Sequence, residues 1–226
     1  MGSFSYSDIL AILVFLLAWG AYSASLERVE NGRVSLNRMM NSHRHLWSNQ
    51  LGVRENRVVD ILINATLQNG TAFFASTSLV ALGGVLSFSN TTDDMLTMLS
   101  GLLFNQPFDR EVWITKLLGI AIIFIYAFFK FSWSFRLFYY VSILMGAVPD
   151  RTGDFEDVKR ASNRVAIANI EAGRHFNRGL QAFFFALAYL GWFVGPYVLM
   201  TTTAAVLFVM WRRQFGPDAR QALTDV

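Results

Sequence analysis

Long uninterrupted apolar runs, separated by arginine-rich polar stretches, set the frame of this chain. A helix needs about 20 predominantly apolar residues to cross a bilayer. Such runs occur at 9–24 and 70–88, and a third starts at Trp113 and reaches 131. The third continues as an aromatic and basic helix, Lys130 to Tyr140, before Pro149 stops it. A last apolar block, Leu180 to Trp211, is interrupted by Gly195-Pro196, a pair that favours leaving a helix. It reads as one kinked span or as a hairpin of two, 179–194 and 197–211. The expected fold is therefore all-α: a polytopic transmembrane helical bundle of four to five crossings in a single domain, with amphipathic cytoplasmic helices.

The polar connections are not flexible linkers. Residues 32–58 interleave Val34, Leu36, Met39, Leu46 and Trp47 with arginines, and 154–176 repeats Val158, Ala161, Val165, Ala168 and Ala172 at helical spacing behind the candidate cap Asp154. Both segments are expected to be amphipathic helices. A third, beginning at Asp93 and Asp94 and running through Leu103, is expected on the opposite side. Arginines concentrate in 27–57 and 151–178, whereas 89–111 carries Arg110 against Asp93, Asp94, Asp109 and Glu111. The positive-inside rule puts the first two in the cytoplasm and the N-terminus outside. It favours the hairpin and five crossings, which keep Arg212, Arg213 and Arg220 inside; four crossings would put them outside. The first run lacks a basic n-region and reads as a retained anchor rather than a signal peptide.

Composition agrees. Hydrophobic residues make up 54% and charged residues 15% of the 226, against roughly 25% charged in soluble domains. Mean hydropathy is +0.37. With no cysteine there is no disulfide framework, thiolate nucleophile or Cys-ligated metal. The net charge of +3 reflects the basic loops and does not point to nucleic acid.

Two groups of residues are candidates for chemistry. Asp60, Asn64 and Gln68 stand at i, i+4 and i+8 before the second span, with Asn69 beside them. Lys130 and Arg136 sit in the third aromatic run. Paired with Asp60, either cation would make a polar path or an interhelical lock; alone, Lys130 snorkels to the interface. The second group is Arg174, His175, Asn177 and Arg178 at the start of a span, suited to a phospholipid headgroup or another anion. His43 and His45, two residues apart, cannot share a helix face, so no metal site is expected. Asn64, Asn69 and Asn90 open glycosylation-type triplets, two of them in or beside a span. No Walker loop, Gly-x-Ser-x-Gly or His-Glu-x-x-His occurs, so no catalytic residue is assigned.

Glu55-Asn56-Arg57-Val58-Val59-Asp60, Gln68-Asn69, the Lys130–Arg136 run, and His175-Phe176-Asn177-Arg178-Gly179-Leu180-Gln181 with Trp192 and Gly195-Pro196 together carry a resemblance. The chain resembles the bacterial and plant membrane proteins grouped as domain of unknown function 599, over most of residues 5 to 215. The resemblance implies a multi-pass membrane architecture and no activity. It also implies that Asn56, Asp60, Gln68, Asn69, Lys130, Arg136, His175, Asn177 and Arg178 are family-type positions. His43 and His45 match no motif of that family.

The expectation is a non-enzymatic protein of a bacterial inner membrane, acting by association as a homo-oligomer or as a subunit of a larger membrane complex. Its other partners are membrane lipids, with bound phospholipid and no other cofactor. A small-solute or ion channel using Asp60, Gln68 and Lys130, and a lipid-binding or lipid-modifying protein using His175 and its arginines, are the alternatives.

Overall fold

In the computed structural model the described residues are 4–27, 35–88, 101, 110–150 and 152–216. They form six α-helices: α1 (Tyr6–Glu27), α2 (Leu36–Asn49), α3 (Val58–Ser87), α4 (Arg110–Gly146), α5 (Phe155–Val194) and α6 (Pro196–Phe215), with a short 3₁₀ turn at Gln50–Gly52. Three stretches, Tyr6–Leu26, Val58–Ser87 and Arg110–Gly146, are long and apolar enough to cross a membrane. The helix expected to begin at Asp93 lies outside the described residues.

The side-chain distribution on α3 is inverted relative to a soluble helix. Its buried residues are Asp60, Asn64, Thr71 and Ser78, while Val59, Leu62, Phe73 and Val80 are exposed. Lipid tails solvate apolar side chains as well as a protein core does, so the polar face is the one that must turn inward. At 100° per residue, positions seven and eighteen beyond a residue return to its face, whereas i+8 has rotated by about 80°. Thr71 and Ser78 therefore continue the stripe that Asn64 carries, and the expected member Gln68 is only half buried, with Asn69 exposed. The helix also starts at Val58, so Asp60 and Asn64 belong to its first turns and not to a separate approach.

Antiparallel α4 and α5 form the spine. Lys116 meets Trp192, Gly119 meets Tyr189, Phe131 meets Gly179, and the Ser134 hydroxyl donates to the Ala172 carbonyl at 2.7 Å. At 37 and 40 residues they are about 55 and 60 Å long, well beyond a ~30 Å hydrocarbon core. The segment 154–176, expected as a separate amphipathic helix, is thus the first half of α5. The segment expected at 32–58 ends earlier, because Gly52 is pressed against Val158 and the chain turns to enter α3.

At Gly195-Pro196 the chain reverses. The Thr202 hydroxyl lies 2.8 Å from the Ala188 carbonyl, so α6 runs back along α5. Pro196 has no N–H to offer the Trp192 carbonyl four residues earlier. The Lys116 ammonium donates to that carbonyl at 2.8 Å in its place, and also lies over the Trp192 ring. Trp192 in turn donates through Nε1 to Asp8 on α1 at 2.8 Å. One buried lysine thus ties α4 to the reversal, a role that no motif announces.

Among the described residues the bundle has three apolar clusters: a small one of Trp113 and Leu117 against Val85 and Phe193, and two more extensive ones. The larger centres on aromatic rings: Phe15 and Trp19 of α1 against Phe185, and Phe74 of α3 stacked at 5.3 Å on Phe131. The smaller, at the arginine-rich end, joins Leu51, Val141, Met145, Val148 and Val165.

Candidate anion-binding site

Arg174, Asn177, Arg178 and Gln181 recur at i, i+3, i+4 and i+7 on α5, one helical stripe. The stripe faces Asn37, Arg38 and Asn41 in the first turns of α2, and Ser23 near the end of α1. Together they enclose a cavity of about 690 Å³. That lies within the range of small-molecule sites. Among the described residues, three guanidinium groups and four side-chain amides line it. Glu171, one turn before the stripe, accepts from Arg174 at 2.6 Å, and Ser23 donates to Gln181 at 3.3 Å.

Two smaller cavities adjoin. One, of about 200 Å³, lies between α2, α3, α4 and α5 and is lined by Arg44, Thr71, Phe138 and Phe176. Arg44 packs onto Gly173, where any side chain would occupy its place, and donates to Asn41 at 3.2 Å. Burial pushes its pKa down from the ordinary arginine value, yet a guanidinium stays cationic in proteins. The other, of about 230 Å³, opens towards α6.

The structure divides the sequence candidates. Arg174, Asn177 and Arg178 share the cavity, whereas His175, one residue round the helix, packs edge-to-face on Trp133 at 6.4 Å. Asp60 meets neither Lys130 nor Arg136. Its Oδ1 accepts from Trp47 Nε1 at 2.6 Å and from the Arg54 guanidinium. Asn64, a turn above, donates to the Phe138 carbonyl at 2.8 Å and to Ser142 at 2.6 Å. Lys130 is eight residues from Phe138, about 12 Å further along α4, and lies over the Tyr126 ring. Arg136, exposed, donates to the Tyr140 hydroxyl at 2.7 Å and stacks on Trp133. The supposed path is therefore two separate structural features: Asp60 clasps α2 to α3, and Lys130 and Arg136 are each held by aromatic rings of their own helix. His43 and His45 lie on different faces of α2, and among the described residues no three metal-binding side chains converge.

Sequence reasoning missed Asn37, Arg38, Asn41 and Gln181. For Gln181 a signal existed, the four-residue polar stripe crossing the start of an apolar run. For the α2 residues there was none, because only the docking of α2 on α5 brings them to the cavity. Arg54, Arg57 and Lys116 were likewise visible only as charge.

No curated protein and no solved structure matches the chain. A family model described as "Protein of unknown function, DUF599" matches residues 10–219. With the match covering all but the two ends of a bundle that contains three helices long and apolar enough to cross a membrane, the chain belongs to the DUF599 family.

Proposed function

We propose that this protein is a multi-pass protein of a bacterial inner membrane that binds, without converting, a phosphate-bearing anion at its cytoplasmic face. The observation that carries the reading is the 690 Å³ cavity to whose wall the fold brings the guanidinium groups of Arg38, Arg174 and Arg178. Guanidinium forks pair with phosphate oxygens bidentately, and the amides of Asn37, Asn41 and Asn177 supply neutral donors. The side of the membrane follows from arginine bias, since this end of the bundle carries the 27–57 and 151–178 segments. Asp8 and Trp192 cluster at the other end, which supports a topology of five crossings, with α6 (20 residues, about 30 Å) as the last.

The test is titration of the detergent-purified full chain with glycerol phosphate by calorimetry. Arg38→Ala with Arg178→Ala should weaken binding at least about 30-fold, the loss of roughly 2 kcal/mol of charge-assisted bonding. Equal affinity in wild type and the double variant would sink the reading.

A second reading, self-association, rests on a different observation. Exposed apolar residues on α3 run from Leu86 to Val58, about 42 Å of helix, which is more than a ~30 Å core can cover. At the arginine-rich end, Val59 and Leu62 of α3 and Tyr139 and Ile143 of α4 remain exposed. A second copy of this chain covering that strip would show as a dimer mass in native mass spectrometry, reduced to monomer by Leu62→Arg; a monomer for the wild type would rule it out.

A further inference from the structure

The cavity adjoining the anion site on the α6 side has walls of a different kind. It shares Leu26, Asn37, Asn177 and Gln181 with the arginine chamber, so the two spaces lie against one another. Beyond that shared wall it is lined by Tyr22, Leu36, Leu180, Phe184 and Met210. A site for a small hydrophilic anion has no use for such a groove, since a charged solute leaves the apolar walls unfilled.

Two polar groups punctuate the groove. The Arg213 guanidinium lies 5.5 Å from the Phe184 ring centroid, at the edge of the apolar stretch. Gln214 is 8% exposed, and its Nε2 has no hydrogen-bond partner among the described residues. A buried amide donor without an acceptor costs roughly 1–3 kcal/mol, a cost that an ester or phosphoryl oxygen of a ligand in the groove would remove. The groove also lies at the level of Phe208, Val209 and Trp211, neighbours on α6 that point outward with 43–66% of their surface exposed. It is thus one helix face away from the apolar exterior of the bundle.

From this juxtaposition we infer that the ligand is a single phosphate-headed amphiphile, with its headgroup among Arg38, Arg174 and Arg178 and the start of its apolar chain between α1, α5 and α6. The inference rests on the anion-binding reading and specifies its ligand class. Head and tail would be recognised by different residues: cations and amides for the phosphate, aromatic and aliphatic walls for the chain, with the Gln214 amide in the groove wall. An adequate ligand must carry both parts, so an anionic phospholipid fits and glycerol phosphate fills only the chamber.

The experiment uses the full chain reconstituted in nanodiscs of equal parts dioleoyl phosphatidylglycerol and dioleoyl phosphatidylcholine, released for native mass spectrometry, alongside glycerol phosphate titration in detergent. The wild type should retain phosphatidylglycerol at least 10-fold over phosphatidylcholine. Leu36→Trp, which places an indole in the groove from the first residue of α2, should cut that retention at least 10-fold while leaving glycerol phosphate affinity within 2-fold. Gln214→Leu, which removes the amide, should cut lipid retention about 3-fold with the same unchanged titration, and gives an independent reading if the tryptophan disturbs α2. Unchanged lipid retention in both variants overturns the amphiphile, and the anion site then survives if Arg38→Ala with Arg178→Ala still abolishes glycerol phosphate binding. Retention that does not distinguish the two lipids in the wild type overturns it as well.

Discussion

Replacing Arg57 with Met should lower the thermal midpoint of the detergent-solubilised protein by about 6–12 °C, from a loss of roughly 3 kcal/mol at about 2–4 °C per kcal/mol for a chain of this size. Arg57 stands immediately before α3 and donates to four carbonyls. Nε bonds Leu51 at 3.0 Å, Nη1 reaches Met145 and Val148, and Nη2 bonds Pro149 at 2.7 Å. Met145 lies in the last turn of α4, and Val148 and Pro149 lie just beyond it, at the end where the helix dipole favours a cation. The fourth ends the 3₁₀ turn that follows α2. One side chain therefore joins α2, α3 and α4 at the arginine-rich end, beside the Trp47–Asp60–Arg54 clasp. Arg57→Lys should recover less than half of the loss, because an ammonium cannot fork across separate carbonyls. A midpoint for Arg57→Met within about 2 °C of wild type would show that water substitutes for the guanidinium.

Gly179→Leu should be at least as damaging, by a different route. A Cβ at Gly179 would sit 2.6 Å from the Phe131 ring, closer than any real contact. Phe131 has no room to yield. It is fully buried and ringed by Phe74, Phe176 and Phe183 at 5.3, 5.7 and 5.7 Å between centroids. The leucine must push α4 from α5, and overpacking of that kind costs about 3 kcal/mol or more when the neighbours are locked. Phe176 precedes Asn177 in the chamber wall, so anion affinity should fall together with stability. Gly70→Leu is the control, since a Cβ there meets nothing within 4 Å. Measured by thermal midpoint, Gly70→Leu should stay near wild type while Gly179→Leu falls by at least about 6 °C. Similar shifts in both would mean that glycine loss as such, rather than the ring contact, is responsible.

These two sites mark where sequence reading reached and where it stopped. The all-α class was legible because hydrocarbon leaves the backbone no partner but itself, and apolar runs of this length can satisfy it only as helices. The family was legible from motifs near Asp60 and Arg178. The reversal at Gly195-Pro196 was legible as one of two options, because a missing N–H and a residue free of Cβ interrupt any helix. The interior polarity of α3 was half legible: Asp60 and Asn64 were read correctly as shunning lipid, but extending the stripe by eights rather than by sevens chose Gln68 over Thr71.

The tertiary structure alone decided partners. Nothing local to Asp60 selects Arg54 and Trp47 over Lys130; the choice follows from the level at which α3 packs on α4, set by Asn64 on Phe138 and Phe74 on Phe131. Nothing local to Arg38 assigns it to a chamber with Arg174 and Arg178. What the sequence by itself determined is which side chains must avoid lipid, because that is a property of each residue and its solvent. Which of them meet depends on helix rotation, axial level and tilt, and those are fixed by contacts between helices far apart in the chain.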